Sequence, residues 1–404
     1  MKIAFFVDIF DSSIINGVAV SVERAVRRLA DRGHKIYIIT PDGKNVIKLI
    51  HKNIITLKVP SIPAFFHHEL KLTNFLEKKT FDFLKSEKID IIHFGGPSLL
   101  GLEAILIAKK LSVPLMGDFN TFIADEEYLE LVKLNFWIIK NLAWKYLGLF
   151  FNGCDLVTCP SESALKKMLK HGIRGKRNIV LSNGIESEVF DNSKSASLKK
   201  KYNPNGKLIL SIGRISGEKN VLYMIDIFKK IVDNVKNVKM LLVGDGPQME
   251  EVKNKIKKLG LREKIFILGK IEHEKLIKSG IFGACDIFIT TSLTETQGIT
   301  ALESQVNGLV CVGADATGTK DLIKNNYNGF LVKNGDKKDF AEKVIMLLRD
   351  DKLYKRMKKN TLKEVKKHYM NNVIDKLEKE LFSLVKNRKR QSSKITSINI
   401  VSLM

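Results

Sequence analysis

Short apolar runs alternate with amphipathic stretches along the first 190 residues, and the alternation starts again after a polar interval at 191–206. The runs Lys2–Val7, His34–Thr40, Ile54–Val59, Ile89–Phe94, Val113–Gly117, Leu156–Cys159 and Asn178–Leu181 are too short for helices. They are continuously apolar, as strands buried on both faces are. Between the first two, Val18–Arg32 places Val22, Ala25, Val26 and Leu29 on one helical face, and Gly33 stops it. The second half repeats the theme with Leu208–Ile212, a helix over Val221–Val232, then Lys239–Val243, Ile265–Leu268, Ile287–Thr290 and Val310–Val312. Such alternation predicts an α/β fold with parallel sheets covered by helices on both sides. Two such units predict two Rossmann-like domains facing across a cleft, with ligands beyond the carboxyl ends of the strands.

The polar interval Asp191–Gly206 reads as a linker, which divides the chain into an N-terminal domain at 1–190 and a C-terminal domain at 191–370. Basic helical sequence runs from about Lys338 to Lys386. A C-terminal helix at 371–390 is expected to pack back on the N-terminal domain, followed by a loose tail at 391–404. No apolar run reaches the ~18–20 residues that span a bilayer. Met1–Val7 is interrupted by Asp8 and followed by no cleavage motif, so it reads as a strand and not as a signal peptide. Cys154 and Cys159, five apart, lack zinc-type spacing, and Cys285 and Cys311 lie in apolar runs. All four read as buried free thiols of a reducing compartment. The formal net charge of +24 suits either a polyanionic partner or a general lysine-rich bias. No RRM, zinc-finger or KH pattern is present, so no nucleic-acid partner is expected.

Three loops carry chemistry. Asn16-Gly17-Val18 joins the first strand to a helix. Its glycine lets backbone N–H groups approach an anion, although an ordinary strand-to-helix turn has the same sequence. Ser211–Asn220 follows a strand with Gly213, then Arg214 and Lys219 five apart. Two cations ahead of a helix suit a diphosphate, with Arg gripping bidentately and Lys as a point charge; a solvated basic turn is the plainer alternative. In Thr294–Glu303, Glu295 lies on a loop, Gly298 follows, and Glu303 falls in the early turns of a helix starting near Ile299. Carboxylates there accept hydrogen bonds from sugar hydroxyls, and N–H groups at Gln297 and Gly298 suit phosphate oxygens. The alternative makes Glu303 a first-turn dipole partner and Glu295 a surface charge.

Together with Pro160-Ser161-Glu162, Ser182-Asn183-Gly184-Ile185 and Val243-Gly244-Asp245-Gly246-Pro247, these motifs resemble the family-4 glycosyltransferases of the GT-B fold over nearly the whole chain. The resemblance implies a retaining hexosyltransferase that needs no metal or other cofactor. Its leaving diphosphate is neutralised by Arg214 and Lys219 and accepts the acceptor proton in a front-face attack. It further implies that Gly17 and Gly213 approach the diphosphate, that Glu295 holds the donor sugar, and that Glu303 holds the ribose hydroxyls. Gln297, Gly298 and Ile299 would offer backbone contacts, and Ile271 would lie against the base. UDP and glucose are the commonest choices, with GDP-mannose open. Where the family often has a His in a Tyr-His-Thr motif, this chain reads Asp118-Phe119-Asn120-Thr121. Asn120 can hydrogen-bond a hydroxyl but carries no proton charge, and Asp118 could partly substitute.

Two stretches bear on the acceptor. Pro63–Leu72 and Phe136–Phe151 mix aromatics with basic residues, as an interfacial segment does, although a domain core has the same composition. The Glu-Thr-Gln-Gly motif, and Phe151–Asp155 ahead of Pro160-Ser161, look like the subgroup that glycosylates diacylglycerol-type lipids. The resemblance therefore implies a lipid acceptor and a cytoplasmic enzyme bound peripherally to the anionic inner face of the cell membrane. Extension of a lipid-linked oligosaccharide or surface polysaccharide is the alternative.

Overall fold

The computed structural model describes the chain except residues 9, 11–16, 42–45, 64–70, 74–77, 121, 123–136 and 402–404; side chains are also undescribed at a few further positions, including 389–401. The N-terminal unit is built on an eight-stranded sheet. Its strands are β1 (Lys2–Phe6), β2 (Lys35–Pro41), β3 (Val46–His51), β4 (Ile54–Val59), β7 (Ile91–Phe94), β8 (Leu115–Asp118), β9 (Leu156–Cys159) and β10 (Arg177–Val180). The spatial order is β10-β9-β8-β7-β1-β2-β4-β3, with only β3 antiparallel to its neighbour. β5 (Ser61–Pro63) and β6 (Lys71–Thr73) form a separate small ribbon.

The C-terminal sheet contains β11 (Lys207–Ile212), β12 (Val238–Val243), β13 (Ile265–Gly269), β14 (Ile287–Thr290), β15 (Val310–Ala314) and β16 (Gly329–Val332). Its order, β13-β12-β11-β14-β15-β16, reverses direction between β11 and β14, the dinucleotide-fold arrangement whose ligand crevice opens at that reversal. The fold is GT-B: two parallel α/β sheets.

Side chains alternate between the two faces of each strand, which explains the continuous apolar runs. On β1, Ala4 and Phe6 enter one core, while Ile3, Phe5 and Val7 enter the other. On β11, Ile209 packs on one side and Leu208 and Leu210 on the other. All four cysteines are buried and free, and burial pushes each thiol well up.

The helices are α1 (Gly17–Asp31), α2 (Lys78–Ser86), α3 (Leu99–Leu111), α4 (Trp137–Phe151), α5 (Glu162–Lys170), α6 (Ser195–Tyr202), α7 (Val221–Asn234), α8 (Met249–Lys258), α9 (His273–Ile277), α10 (Ile281–Ala284), α11 (Ile299–Val306), α12 (Thr319–Leu322), α13 (Lys337–Arg349), α14 (Asp351–Glu364) and α15 (Met370–Val401). Several sequence expectations are corrected here. The supposed linker contains α6, whose Leu198 packs on the second core. The basic helical stretch is divided into three helices. Asp336 and Asp350 cap the first two through bonds from the N–H groups of Asp339 and Leu353. The expected loose tail is largely helical, since α15 continues to Val401. The edge strands β3 and β16 were not legible as apolar runs.

The chain crosses back to the first domain at residues 365–370. Met370 N donates to Ile185 O at 2.9 Å, and Ile185 N donates to His368 O at 2.9 Å. From there α15 lays Met370, Ile374, Leu377 and Leu381 along one stripe of the N-terminal core, beside Val22, Val26 and Leu29 of α1.

Candidate active site

The loops after β11 and β14 meet at the sheet reversal. Thr291 Oγ1 donates to the carbonyls of Lys219 and Asn220, both at 3.0 Å, and Leu293 N donates to Glu218 O at 3.3 Å. These bonds fix the two loops side by side and bring Lys219 Nζ to 2.6 Å from Glu295 Oε1. Burial pushes the Glu295 carboxyl up, but the Lys219 charge and hydrogen bond outweigh it and leave the group below the usual carboxylate range. Arg214 stands exposed on the same loop and makes no ion pair among the described residues. Space at Gly213 is open, whereas a Cβ on neighbouring Gly244 would stand 1.8 Å from Gly213 O. The lack of a side chain at Gly244 therefore lets the backbone of Gly213 pass close against the end of β12.

Gly298 adopts φ 87° and starts α11 without any side-chain cap. Its left-handed turn suits glycine, and the first N–H groups of the helix are left for a ligand. Ile299 is the first residue of that helix. Gln297 is buried and spans the domains: its Oε1 accepts from Asn183 N at 2.9 Å, and its Nε2 donates to Ser182 Oγ at 2.8 Å. Thr296 Oγ1 donates to Asn120 O at 2.9 Å, and Ser161 Oγ donates to Thr296 O at 2.5 Å. The loop holding Thr296 and Gln297 is thus tied to the N-terminal domain.

Glu303, only 1 % exposed, does not stand open for a ribose in this conformation. Its Oε1 lies 2.7 Å from His273 Nε2 and 3.4 Å from Arg24 Nη2 of the opposite domain. Ile271 follows β13 and is partly buried against the second core, two residues before His273. On the N-terminal side, Gly17 opens α1, while Asn16 and the loop before it lie outside the described residues. Asp118 ends β8 with both oxygens engaged: Oδ2 is 2.8 Å from His93 Nε2, and Oδ1 accepts from Thr158 Oγ1. Asp118 and Asn120 line a crevice under α1 and α15.

Arg24, His93, His273 and His368 carried no motif signal. Each sits in an element that reads as plain strand, helix or turn, and each gains meaning only from a partner more than 20 residues away: Glu303, Asp118, Glu303 and Ser182 respectively. Among the described residues, no cluster of three His, Cys, Asp or Glu is placed to hold a metal. Of the two aromatic stretches, residues 64–70 lie outside the described residues. On α4, Trp144, Phe150 and Phe151 are core, whereas Leu142, Tyr146 and Leu149 are 57 %, 43 % and 78 % exposed. Among the described residues, no helix is long and apolar enough to cross a membrane.

Residues 15–189 match the Glycosyltransferase Family 4 model, and residues 193–364 match that of Glycosyl transferases group 1. The chain is similar to the alpha-monoglucosyldiacylglycerol synthase of Streptococcus pneumoniae, with 26% identity over 93% of this chain and 86% of the relative. It is similar also to the sulfoquinovosyl transferase SQD2 of Arabidopsis thaliana, with 25% identity over 95% of this chain and 73% of that one. In fold it is similar to HepE of Anabaena, solved with UDP-glucose, with a TM-score of 0.74 and 20% identity over 95% of this chain and 100% of the other. A GT-B pair of sheets, a cation–carboxylate pair at the reversal of the second one and two family matches that together run from residue 15 to 364 converge: the chain is a glycosyltransferase of the family-4 type.

Proposed function

We propose that the protein transfers a hexose, with retention, from a nucleotide-diphosphate sugar to a lipid acceptor of the diacylglycerol class, with UDP-glucose as the donor. The observation that carries this reading is the Lys219–Glu295 contact beside exposed Arg214 and the uncapped start of α11. Arg214 and Lys219 take up the charge that develops on the departing diphosphate, the chief electrostatic contribution in such a site. Glu295, kept ionised by Lys219, accepts hydrogen bonds from donor-sugar hydroxyls. Gly17, Gly213, Gly298 and Ile299 bring backbone close to the phosphates, with Gln297 holding that loop in register. Ile271 faces the base, and Glu303 exchanges its present partners for ribose hydroxyls. The acceptor hydroxyl attacks from the face the leaving group vacates, and the leaving phosphate takes its proton. Asp118 and Asn120 orient the acceptor. No metal takes part, since the two cations supply the charge.

The lipid acceptor is supported by the name of the pneumococcal relative, an alpha-monoglucosyldiacylglycerol synthase, and by the exposed stripe Leu142, Tyr146 and Leu149 flanking Lys145 on α4. Such a stripe suits peripheral binding to an anionic inner leaflet.

The test is a panel of nucleotide sugars scored by thermal shift, followed by transfer from the stabilising donor to diacylglycerol in anionic vesicles, to a lipid-linked oligosaccharide and to soluble sugars. Stabilisation by UDP-glucose and salt-sensitive transfer to diacylglycerol, with an α-linked product, is the expected result. Salt-insensitive transfer to a soluble sugar, with no vesicle binding, would reject the lipid acceptor.

A further inference from the structure

The carboxyl ends of β1 and β7 lie side by side, with Gly95 N donating to Phe6 O at 3.0 Å. Asp8 follows β1 there and is half-buried. Among the described residues, chain neighbours aside, Asp8 Oδ2 is the one atom within 4 Å of a Cβ built on Gly96, at 3.4 Å. A recess floored by bare backbone therefore has a carboxylate at its edge. Gly101 N donates to Ser98 Oγ at 3.1 Å, which leaves the Ser98 proton for Asp8. Burial outweighs that hydrogen bond and pushes the Asp8 carboxyl up to about 6. Asp118, two strands away in the same sheet, has both oxygens engaged by His93 and Thr158.

Helix α4 borders this recess. Tyr146 OH donates to Pro97 O at 2.8 Å, and burial, then the Asp8 charge, push its phenol up. Tyr146 belongs to the exposed stripe with Leu142 and Leu149, and exposed Leu99 starts α3 directly after Ser98. The acid thus has an apolar lip. On its other side the chain runs on to Gly17, the first residue of α1, whose Arg24 meets Glu303 of the opposite domain. Asp8 therefore stands between a stripe suited to lipid and the helix that meets the donor-side domain.

We propose that Asp8 is the carboxylate that receives the reactive hydroxyl of the acceptor, in a recess over Gly96 bounded by Ser98, Leu99 and Tyr146. The inference rests on the lipid-acceptor reading and deepens it. A carboxylate accepts a strong, charge-assisted hydrogen bond from a hydroxyl. Holding that hydroxyl at the carboxyl end of the sheet orients it towards the donor, and the departing phosphate still takes its proton. A diacylglycerol carries one free hydroxyl beside two acyl esters, which suits a single acid with an apolar lip. Asp118 and Asn120 then set the walls of the acceptor site, and Asp8 meets the reacting group.

The test is transfer from UDP-glucose to dioleoylglycerol in phosphatidylglycerol vesicles, with acceptor and donor KM measured separately from acid to neutral pH. Asp8→Asn should raise the acceptor KM about tenfold, the loss of a charge-assisted hydrogen bond. The donor KM and the thermal shift caused by UDP should stay as in the wild type. The wild-type kcat/KM for the acceptor should fall as the pH drops through about 6, where Asp8 takes a proton, and Asp8→Asn should lose that limb. Tyr146, the titratable neighbour, stays neutral throughout, since its phenol is raised from an ordinary 10. Gly96→Ala sets a methyl 3.4 Å from Asp8 Oδ2 and should raise the acceptor KM about threefold by filling the recess, which serves if Asp8→Asn does not fold. An acceptor KM and acid limb both unchanged in Asp8→Asn, or a donor KM raised as much as that of the acceptor, would overturn the proposal. If the wild type transfers only to a soluble sugar and Asp8→Asn weakens that acceptor alone, the lipid reading falls and the acceptor carboxylate stands.

Discussion

Arg24, on the first helix of the N-terminal domain, reaches across the cleft to within 3.4 Å of Glu303, the second acid of the Thr294–Glu303 segment. Both are nearly inaccessible to solvent, so the contact is a desolvated one, and His273 shares the same carboxylate oxygen at 2.7 Å. In this conformation the domains are closed on one another through the residue that the family resemblance gives to the ribose.

That contact is separable. Removing one member of a buried pair leaves the other uncompensated, a loss of up to about 3–5 kcal/mol. Because His273 still serves Glu303, Arg24→Ala should cost less, about 1–2 kcal/mol. Glu303→Ala, which strands the Arg24 charge, should cost more. Urea unfolding of both single variants and the double variant would measure this, with a coupling energy near zero as the contrary result.

The Lys219–Glu295 pair should matter for turnover more than for stability. Lys219→Met is expected to lower kcat about 100-fold or more, as loss of a charge on a leaving group does. It also leaves burial as the dominant influence on Glu295, whose carboxyl then rises. The acid limb of the kcat profile should therefore move to higher pH in the variant. An unmoved limb would show that Glu295 does not govern it.

His368 lies at the crossover back to the first domain, its Nδ1 2.9 Å from Ser182 Oγ. Burial pushes its imidazole down to about 4, from an ordinary value of 6.5. The unfolded chain therefore binds a proton between pH 6.5 and 4 that the folded chain refuses. Stability from this group is complete above pH 6.5 and falls as the pH drops towards 4, by at most about 3 kcal/mol. His368→Gln should flatten that part of the stability curve measured by chemical denaturation.

Gly298 has room for a Cβ, with the nearest atoms at 3.8 Å, but its φ of 87° does not suit an L side chain. Gly298→Ala should cost about 1 kcal/mol in melting and shift the start of α11, raising the donor KM. An unchanged donor KM would show that the backbone there does not meet the donor.

Among the described residues, Leu149 is the most exposed of the large apolar side chains on α4. Leu149→Glu adds charge to an exposed position, so its melting temperature should stay within a degree or so while partition onto anionic vesicles falls about tenfold. Sedimentation with vesicles measures this. Equal partition would place any membrane contact elsewhere.

The sequence was sufficient for whatever depends on neighbours in the chain. Continuous apolar runs declared buried parallel strands because both faces of such a strand are covered, and Ile54–Val59, Leu156–Cys159 and Ile287–Thr290 fall where they were expected. The loops after Ile212 and Thr290 stood out because glycine, paired cations and acids gather at strand ends, where the ligands of open α/β sheets bind. Helix α6 was hidden in the presumed linker because its Ser- and Lys-rich sequence has little helical periodicity, and packing of Leu198 rather than propensity accounts for it.

What only the tertiary structure decided is which distant groups share a charge or a proton. His93 and Asp118 are 25 residues apart, and Arg24 and Glu303 lie in different domains, joined by hydrogen bonds that extend only about 3 Å. Local sequence carries no record of such short-range, long-separation contacts, since any chain order that brings the two strands or helices together satisfies them equally. The cations Arg214 and Lys219 and the carboxylates Glu295 and Glu303 are written along the chain; the partner of Glu303 and the imidazole beside Asp118 exist only once both sheets have folded and the last helix has crossed back.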